Sequence, residues 1–388
     1  MHDVQPNDGG EQAVMMYSTS LPRHVDPIQF VAAERLLLRH WTDEIAKIAL
    51  AVDYKENGYR MLVSMALEHP ALLNSMLAVA ASHRSKWLKV KDTESKKYLR
   101  KAMRHLQEQF QAPKAAKGEQ ALATMLCLTS YEVFNGSSNW KIHYRGIAGW
   151  IRSQRDTSEL HPFFKTWIAL IETQLAMNMG ECLLPEIEPW LDLGQNHAID
   201  PFFGCSVLLP KLMLKAAQLS SFARNPPAAT PHIDHRAELL HRASLLQEQV
   251  LTASLSISAP VTFAISCAAP HTALTPTHPS APRAAIIAAE VFRHALLLHV
   301  HDASGPLSNL GWALAVLGAE VHAREARHFL RAKWRALHLL ELNNSRASER
   351  VVLEFWARRD ACARGEGAEV ESWQDMVRRA GEELVPLV

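Results

Sequence analysis

Apolar residues recur at intervals of three and four along most of this chain, and that spacing constrains the fold more than any other feature. Side chains three or four apart share one face of an α-helix, whereas a half-buried strand alternates with period two. Phe30, Val31, Leu37, Leu38, Trp41, Ile45 and Ile48 form one such stripe, behind Asp26 as an N-cap and Pro27 where a first-turn proline is tolerated. The same pattern predicts helices over Tyr59–Glu68, Pro70–Trp87, Glu94–Phe110 and Glu119–Phe134. In Glu94–Phe110 it places Tyr98, Leu99, Met103, Leu106 and Phe110 on one side, with Lys and Arg on the other. Pro113, Lys117 and Gly118 form a break, and Glu119–Phe134 is apolar throughout, as a helix at the centre of a core should be. The second half predicts helices over Trp140–Arg152, His161–Met179, Val207–Phe222, Ile233–Val250 and Arg283–His299. A last block covers Asn309–Ala323, Arg324–Leu342, Ala347–Arg359 and Val370–Ala380. No run sustains strand alternation (Leu255–Ser258 is too short), and no fixed period marks a tandem repeat. The expected fold class is therefore all-α, an irregular array of packed antiparallel helices.

Residues 1–21 are expected to form a flexible N-terminal tail: Asp3, Asp8 and Glu11 interrupt any apolar run that a signal peptide would need. Residues 22–388 are expected to form one helical region. Irregular connections fall at Leu183–Pro201 and Asn225–His232, and a Pro/Ala/Thr-rich loop at 251–282. From Gln249 to Pro282 there is no Asp, Glu, Lys or Arg, and Val250–Pro270 has the length of a membrane span. Ser and Thr interrupt that stretch, however, and Pro260 sits at its centre, so a loop is preferred and no membrane contact is expected.

Composition narrows the partners. A hydrophobic fraction of 48% excludes a wholly disordered chain. With 41 Lys+Arg against 40 Asp+Glu, the net charge of +1 excludes coating nucleic acid by bulk electrostatics. Five cysteines, Cys127, Cys182, Cys205, Cys267 and Cys362, are scattered, with no close pair. A local zinc site draws its soft ligands as two close pairs, and a secreted scaffold uses an even set of disulfides. Neither fits, so these thiols are read as small buried hydrophobes in a reducing compartment.

The sequence carries no recognisable catalytic constellation. There is no G-x-S-x-G elbow, P-loop, dinucleotide G-x-G-x-x-G, H-E-x-x-H or Asp-rich diphosphate motif. Among twenty histidines, His235 with His241 and His322 with His328 are six apart, which does not place two rings on one helical face. His299, His301 and Asp302 would need a further ligand from elsewhere, and all are read as solvated or core-edge groups. Lys86, Lys89, Lys91, Lys96, Lys97, Arg100 and Lys101 form a basic cluster across one helix end and the next helix start. It is read as the solvated face of an amphipathic helix in preference to a nuclear localisation signal or a phosphate contact. Trp41, Trp87, Trp140, Trp150, Trp167, Trp312, Trp334, Trp356 and Trp373 are read as packing rather than a base-stacking platform. The chain is thus expected not to be an enzyme, with no catalytic, cofactor-binding or metal residue, no cofactor, and no assignable DNA-binding residue.

Five stretches, in order, resemble the fungal-specific transcription factor regulatory domain, the helical region that usually follows a binuclear zinc cluster. They are Leu36–Leu50 (LLLRHWTDEIAKIAL), Met61–Trp87 with its proline and Ala-Ser-His ending, and Leu122–Ile151 with its Trp-x-x-His-x-x-Gly turn. Gly311–Leu337, and Glu354–Asp360 (EFWARRD) followed by Trp373 and Met376, complete the set. Ile147 after Gly146 is a small departure, and the likeness is weakest over Leu251–Pro282. Trp140, His143 and Gly146 match the family-like turn and are read as packing, with Gly146 permitting a close helix approach.

The resemblance implies a transcription regulator in the nucleus that works by contacting proteins. A binuclear cluster needs six cysteines, and none precedes Pro22, so direct sequence-specific DNA contact is not expected from this sequence. The expected partner is a DNA-binding transcription factor or a second copy of the chain, acting on a pathway-specific gene set such as one for secondary metabolism. Two alternatives stay open at this point: a helical enzyme or small-molecule-binding protein, and a gene model whose missing upstream exon encodes the zinc cluster.

Overall fold

The computed structural model describes residues 32–50, 57–112, 116, 118–179, 184–191, 199–200, 205–206, 208–224, 235–253, 293, 296, 324–338 and 344–365. Helix α1 (Ala32–His40) runs on through a π-helical turn (Trp41–Ile45) and a short α-helical turn (Ala46–Ile48). Then follow α2 (Gly58–Glu68), α3 (Pro70–Trp87), α4 (Ser95–Phe110), α5 (Glu119–Phe134), α6 (Trp140–Ser153) and α7 (Pro162–Met179). After a 3₁₀ segment (Pro185–Leu191) come α8 (Leu208–Arg224), α9 (His235–Thr252), α10 (Arg324–His338) and α11 (Asn344–Ala363). The fold is all-α, as the periodicity requires.

The helix boundaries follow from local chemistry. Asn57 Oδ1 accepts the Arg60 amide at 3.1 Å and caps α2, while its Nδ2 donates to the Ala46 carbonyl at 3.0 Å. Pro70 opens α3 at a position where its missing amide costs nothing. Asp92 accepts the Ser95 amide at 3.0 Å at the start of α4. Helix α3 lies against α1, α2, α4 and α5, and α5 lies against α4 and α6 as well. Both α3 and α5 are buried on nearly every side. Several of their polar side chains therefore close on their own helix: Asn74 donates to the Pro70 carbonyl at 2.7 Å, Thr124 to Gln120 at 2.7 Å and Thr129 to Met125 at 2.9 Å. A second layer joins α7, α8 and α9 in succession, and α10 packs on α11.

Two glutamates fix the joints between these layers. The Tyr144 hydroxyl donates to the buried Glu172 carboxylate, whose other oxygen accepts the Leu184 amide at 2.8 Å. Glu119 accepts the His161 amide at 2.6 Å, and burial holds its carboxyl above the usual range. An aromatic cluster of Tyr59, Phe163, Phe164 and Trp167 seals α2 against α7; Tyr59 and Phe163 meet edge to face at 5.3 Å.

Four sequence expectations change. The first helix contains a π turn, which no apolar spacing announces; Asp26, Pro27, Phe30 and Val31 lie outside the described residues. Met103 and Phe110 are 50% and 45% exposed: the buried row of α4 is Ser95, Tyr98, Ala102 and Leu106, and at about 100° per residue Met103 falls at its edge. A short antiparallel pair joins Ile199–Asp200, at the end of the expected irregular connection Leu183–Pro201, to Cys205–Ser206. Gly146 is exposed, and a Cβ there would meet only Met125 Sδ at an ordinary 3.4 Å. The close approach is at Gly58, where a Cβ would stand 2.0 Å from the Phe163 ring. The tail at 1–21, most of the loop at 251–282, and the helices expected at Asn309–Ala323 and Val370–Ala380 lie outside the described residues. Arg283–His299 is described only at Arg293 and Leu296, both helical.

Candidate functional site

The residues that carried the family likeness meet in space. His40, in the Leu-Leu-Arg-His-Trp opening, places Nε2 2.9 Å from Nδ1 of His83, in the Ala-Ser-His stretch of α3. Trp41 donates Nε1–H to the Tyr59 carbonyl at 2.7 Å. Ser82 donates to Asn135 Oδ1 at 2.9 Å, and Lys86 Nζ to the Phe134 carbonyl at 2.8 Å, tying the end of α3 to the end of α5. A His–His hydrogen bond requires one ring nitrogen to accept, so at least one ring is neutral. Burial and the neighbouring His83 and Arg84 lower His40 to about 4, which keeps it so. This is a structural clamp.

Beyond the clamp, α3 ends in water. His83 is buried and its ring lies 5.7 Å from that of Trp87, which is 44% exposed. The helix closes in a Schellman turn: the Val90 amide donates to the Ser85 carbonyl at 2.9 Å and the Lys89 amide to Lys86 at 3.0 Å. Such a turn needs a left-handed residue, ordinarily glycine; here it is Lys89, at φ 54°. Leu88 and Val90 on either side are 48% and 57% exposed. Lys86, Lys89 and Lys91 of the basic cluster alternate with them along the chain. Periodicity placed Trp87 in the core because it continues the α3 stripe; it lies outside because the helix outruns its neighbours, which no local pattern reports.

The other sequence candidates disperse. Trp140 is buried and His143 half-buried, with its pKa lowered by burial, so both belong to packing of α6 on α5. Trp41, Trp150, Trp167, Trp334 and Trp356 are buried as expected, whereas Trp312 and Trp373 lie outside the described residues. His235 opens α9 and His241 and His328 are exposed; His299, His301, Asp302 and His322 lie outside the described residues. Among the described residues no three His, Cys, Asp or Glu side chains come together in a way that could hold a metal ion. Cys127 is buried, and desolvation pushes its thiol up to about 12, so it is inert as a nucleophile. A shallow groove of about 200 Å³ between α8 and α9 offers Lys215 and Arg242. Lys215 donates to Gln249 at 3.0 Å, and Arg242 pairs with Glu238 at 2.6 Å while stacking 4.2 Å over Phe222. Its cations are already engaged.

The family model described as the fungal specific transcription factor domain matches residues 35–386. The chain belongs to that family. Comparison with curated proteins and with solved structures gives no match. In this fungal transcription factor domain the α1–α3 clamp and the α3–α5 tie hold three helices together at the end of α3, and the chain has a transcription-regulator-like role. Membership in a regulatory family points away from enzymatic work. Among the described residues no helix is long and apolar enough to cross a membrane.

Proposed function

We propose that this chain is a nuclear regulator that acts on transcription through protein contacts, as the companion of a DNA-binding transcription factor. The observation that carries this reading is the family match, which runs through nearly the whole helical array. The cysteine spacing supports the second half of the proposal: within this sequence no two cysteines are close enough to form the paired ligands of a zinc-based DNA reader. The near-neutral charge supports it too, because binding duplex DNA directly rests mainly on neutralising phosphates with a large excess of Lys and Arg.

The test is made in the native host. A tagged full-length protein is expected in the nucleus, co-purifying with a DNA-binding protein, and its deletion is expected to change the transcripts of one gene set. A cytoplasmic protein whose deletion leaves every transcript unchanged would sink the proposal. Direct, sequence-specific binding of the purified chain to duplex DNA would overturn the companion mechanism alone.

A further inference from the structure

Three features at the α3–α4 corner work against the stability of the isolated chain. Trp87, Leu88 and Val90 leave about half of three large apolar side chains exposed within one turn of chain. Lys89 occupies a left-handed conformation that costs a side-chain-bearing residue strain and that glycine would take freely. Lys96 and Lys97 stand in the first turn of α4, at the positive end of its dipole, where an acid would be favoured. Other cations of the cluster have local reasons: Arg84 and Lys86 lie in the last turn of α3, where positive charge is favourable, and Lys86 is bonded to Phe134. Lys89, Lys91 and Lys96 make no ion pair among the described residues. Residues 86–101 carry seven Lys/Arg against Asp92 and Glu94 in a chain of net charge +1, and Asp92 is engaged with Ser95. Local choices that each oppose folding, gathered at one place, mark a surface kept for something other than folding.

We propose that this corner is a docking surface for an acidic peptide segment with apolar anchor residues, supplied by a partner protein. Charge complementarity selects the acid: Lys89 and Lys91 alternate with the apolar residues along the chain and, with Lys96, make no ion pair among the described residues. The apolar centre selects a peptide over nucleic acid, because a phosphate backbone gives Trp87, Leu88 and Val90 nothing to bury against. His83 behind Trp87 fixes the base of the indole, so the anchor loses little freedom on binding. The α4 face that begins at Lys96 continues to the exposed Met103 and Phe110, extending the same mixed character along the helix.

This assignment deepens the proposed regulatory role and rests on it for the partner being a protein. The experiment uses the full chain and a short fluorescent peptide alternating Asp/Glu with Leu/Phe, read by anisotropy. Control peptides replace the acids by Asn/Gln, or the apolar residues by Ser; duplex DNA and anionic phosphatidylserine vesicles compete in parallel. The expected result is saturable, salt-sensitive binding of the acidic–apolar peptide, weakened at least about tenfold by either control substitution and by the double variant Lys91→Glu/Lys96→Glu. Trp87→Ala should weaken it several-fold, while Trp87→Phe, which keeps an aromatic ring on His83, should retain most of the binding. No peptide binding, equal binding by the charge-reversed variant, or tighter binding of DNA or vesicles than of peptide overturns the proposal. Because the readout is made in vitro, its failure beside an intact transcript phenotype removes this surface and leaves the regulatory reading standing. Peptide binding with no transcript phenotype does the reverse.

Discussion

Replacing Gly58 by Ala adds one methyl group at the tightest contact described for a glycine in this protein. The new Cβ would lie 2.0, 2.3 and 2.4 Å from Phe163 Cδ2, Cγ and Cε2. Carbon atoms rest about 3.5–4.0 Å apart, so the ring or the helix must move by about 1.5 Å. Phe163 has nowhere to go: it is 2% exposed and meets Tyr59, Phe164 and Trp167 at 5.3, 5.5 and 5.4 Å. Moving α2 instead strains the Asn57 cap and its bond to Ala46. Overpacking of this kind costs about 1–3 kcal/mol, and each lost aromatic edge contact adds about 0.5–1.5 kcal/mol. The gain in helix propensity, at most about 1 kcal/mol, is smaller still at the first helical position. The net expectation is a loss of about 2–4 kcal/mol, measured as a lower urea midpoint at unchanged slope. A double-mutant cycle isolates the cause. In a Phe163→Ala background the ring is gone, and Gly58→Ala should cost almost nothing. A Gly58→Ala protein as stable as the parent, or an equal cost in both backgrounds, would show that α2 does not press on this ring.

The remaining expectations concern the other glycines, the clamp and the strained corner. Gly149→Ala, with nothing within 4 Å of the new Cβ, and Gly146→Ala, facing only Met125 Sδ at 3.4 Å, should each stabilise the chain by about 0.5–1 kcal/mol; a lower urea midpoint in either refutes the open space assigned there. His40 binds its proton at about 4 in the folded chain and near 6.5 in the unfolded one, so between those values the unfolded chain holds more protons and stability falls as the solution is acidified. The shift corresponds to at most ~3 kcal/mol at ~1.4 kcal/mol per pH unit, and partial exposure of the ring cuts this to about 1–2 kcal/mol. His143 and His161, both lowered by burial, act with the same sign. Denaturation at about pH 7 and about pH 5 should show the loss, and His40→Gln should reduce it, leaving the part due to His143 and His161; a midpoint that rises on acidification contradicts the assignment. Lys89→Gly should gain about 0.5–1 kcal/mol in thermal or urea stability by releasing the left-handed strain, whereas no gain would mean that Lys89 is held there by contacts that offset it.

Helix positions were legible because apolar spacing is a local signal. Pro70–Trp87 and Glu119–Phe134 coincide with α3 and α5 to the residue, and most other ends agree within two or three positions. What the spacing could not carry is the identity of neighbours. Gly146 lies in a motif and Gly58 does not, yet the crowded glycine is Gly58, because its partner Phe163 is more than a hundred residues away. The His40–His83 bond likewise spans 43 positions, and only the family likeness drew attention to the two segments that contain it. Trp87 and Met103 show the converse error. Each has the period of a core residue, but burial depends on where the neighbouring helix stops, and that is a property of the assembled array. The candidate surface was visible as charge alone. Its apolar centre and its strained lysine appear only once the turn after α3 is closed.

The inward-closing polar side chains of α3 and α5 have a consequence for how such a core can change over generations. Asn74, Thr124 and Thr129 satisfy their hydrogen bonds on carbonyls one turn back, so they present no unmet demand to the opposite helix. Over these stretches each helix meets the other as a rod defined by volume. At these three positions a substitution on the facing helix then has to be matched only in size, because it strands no donor of Asn74, Thr124 or Thr129. A lineage can exchange side chains between such rods in small neutral steps, while polar ties such as Ser82–Asn135 keep their ends aligned. The architecture can persist in this way long after the letters that spell it have drifted.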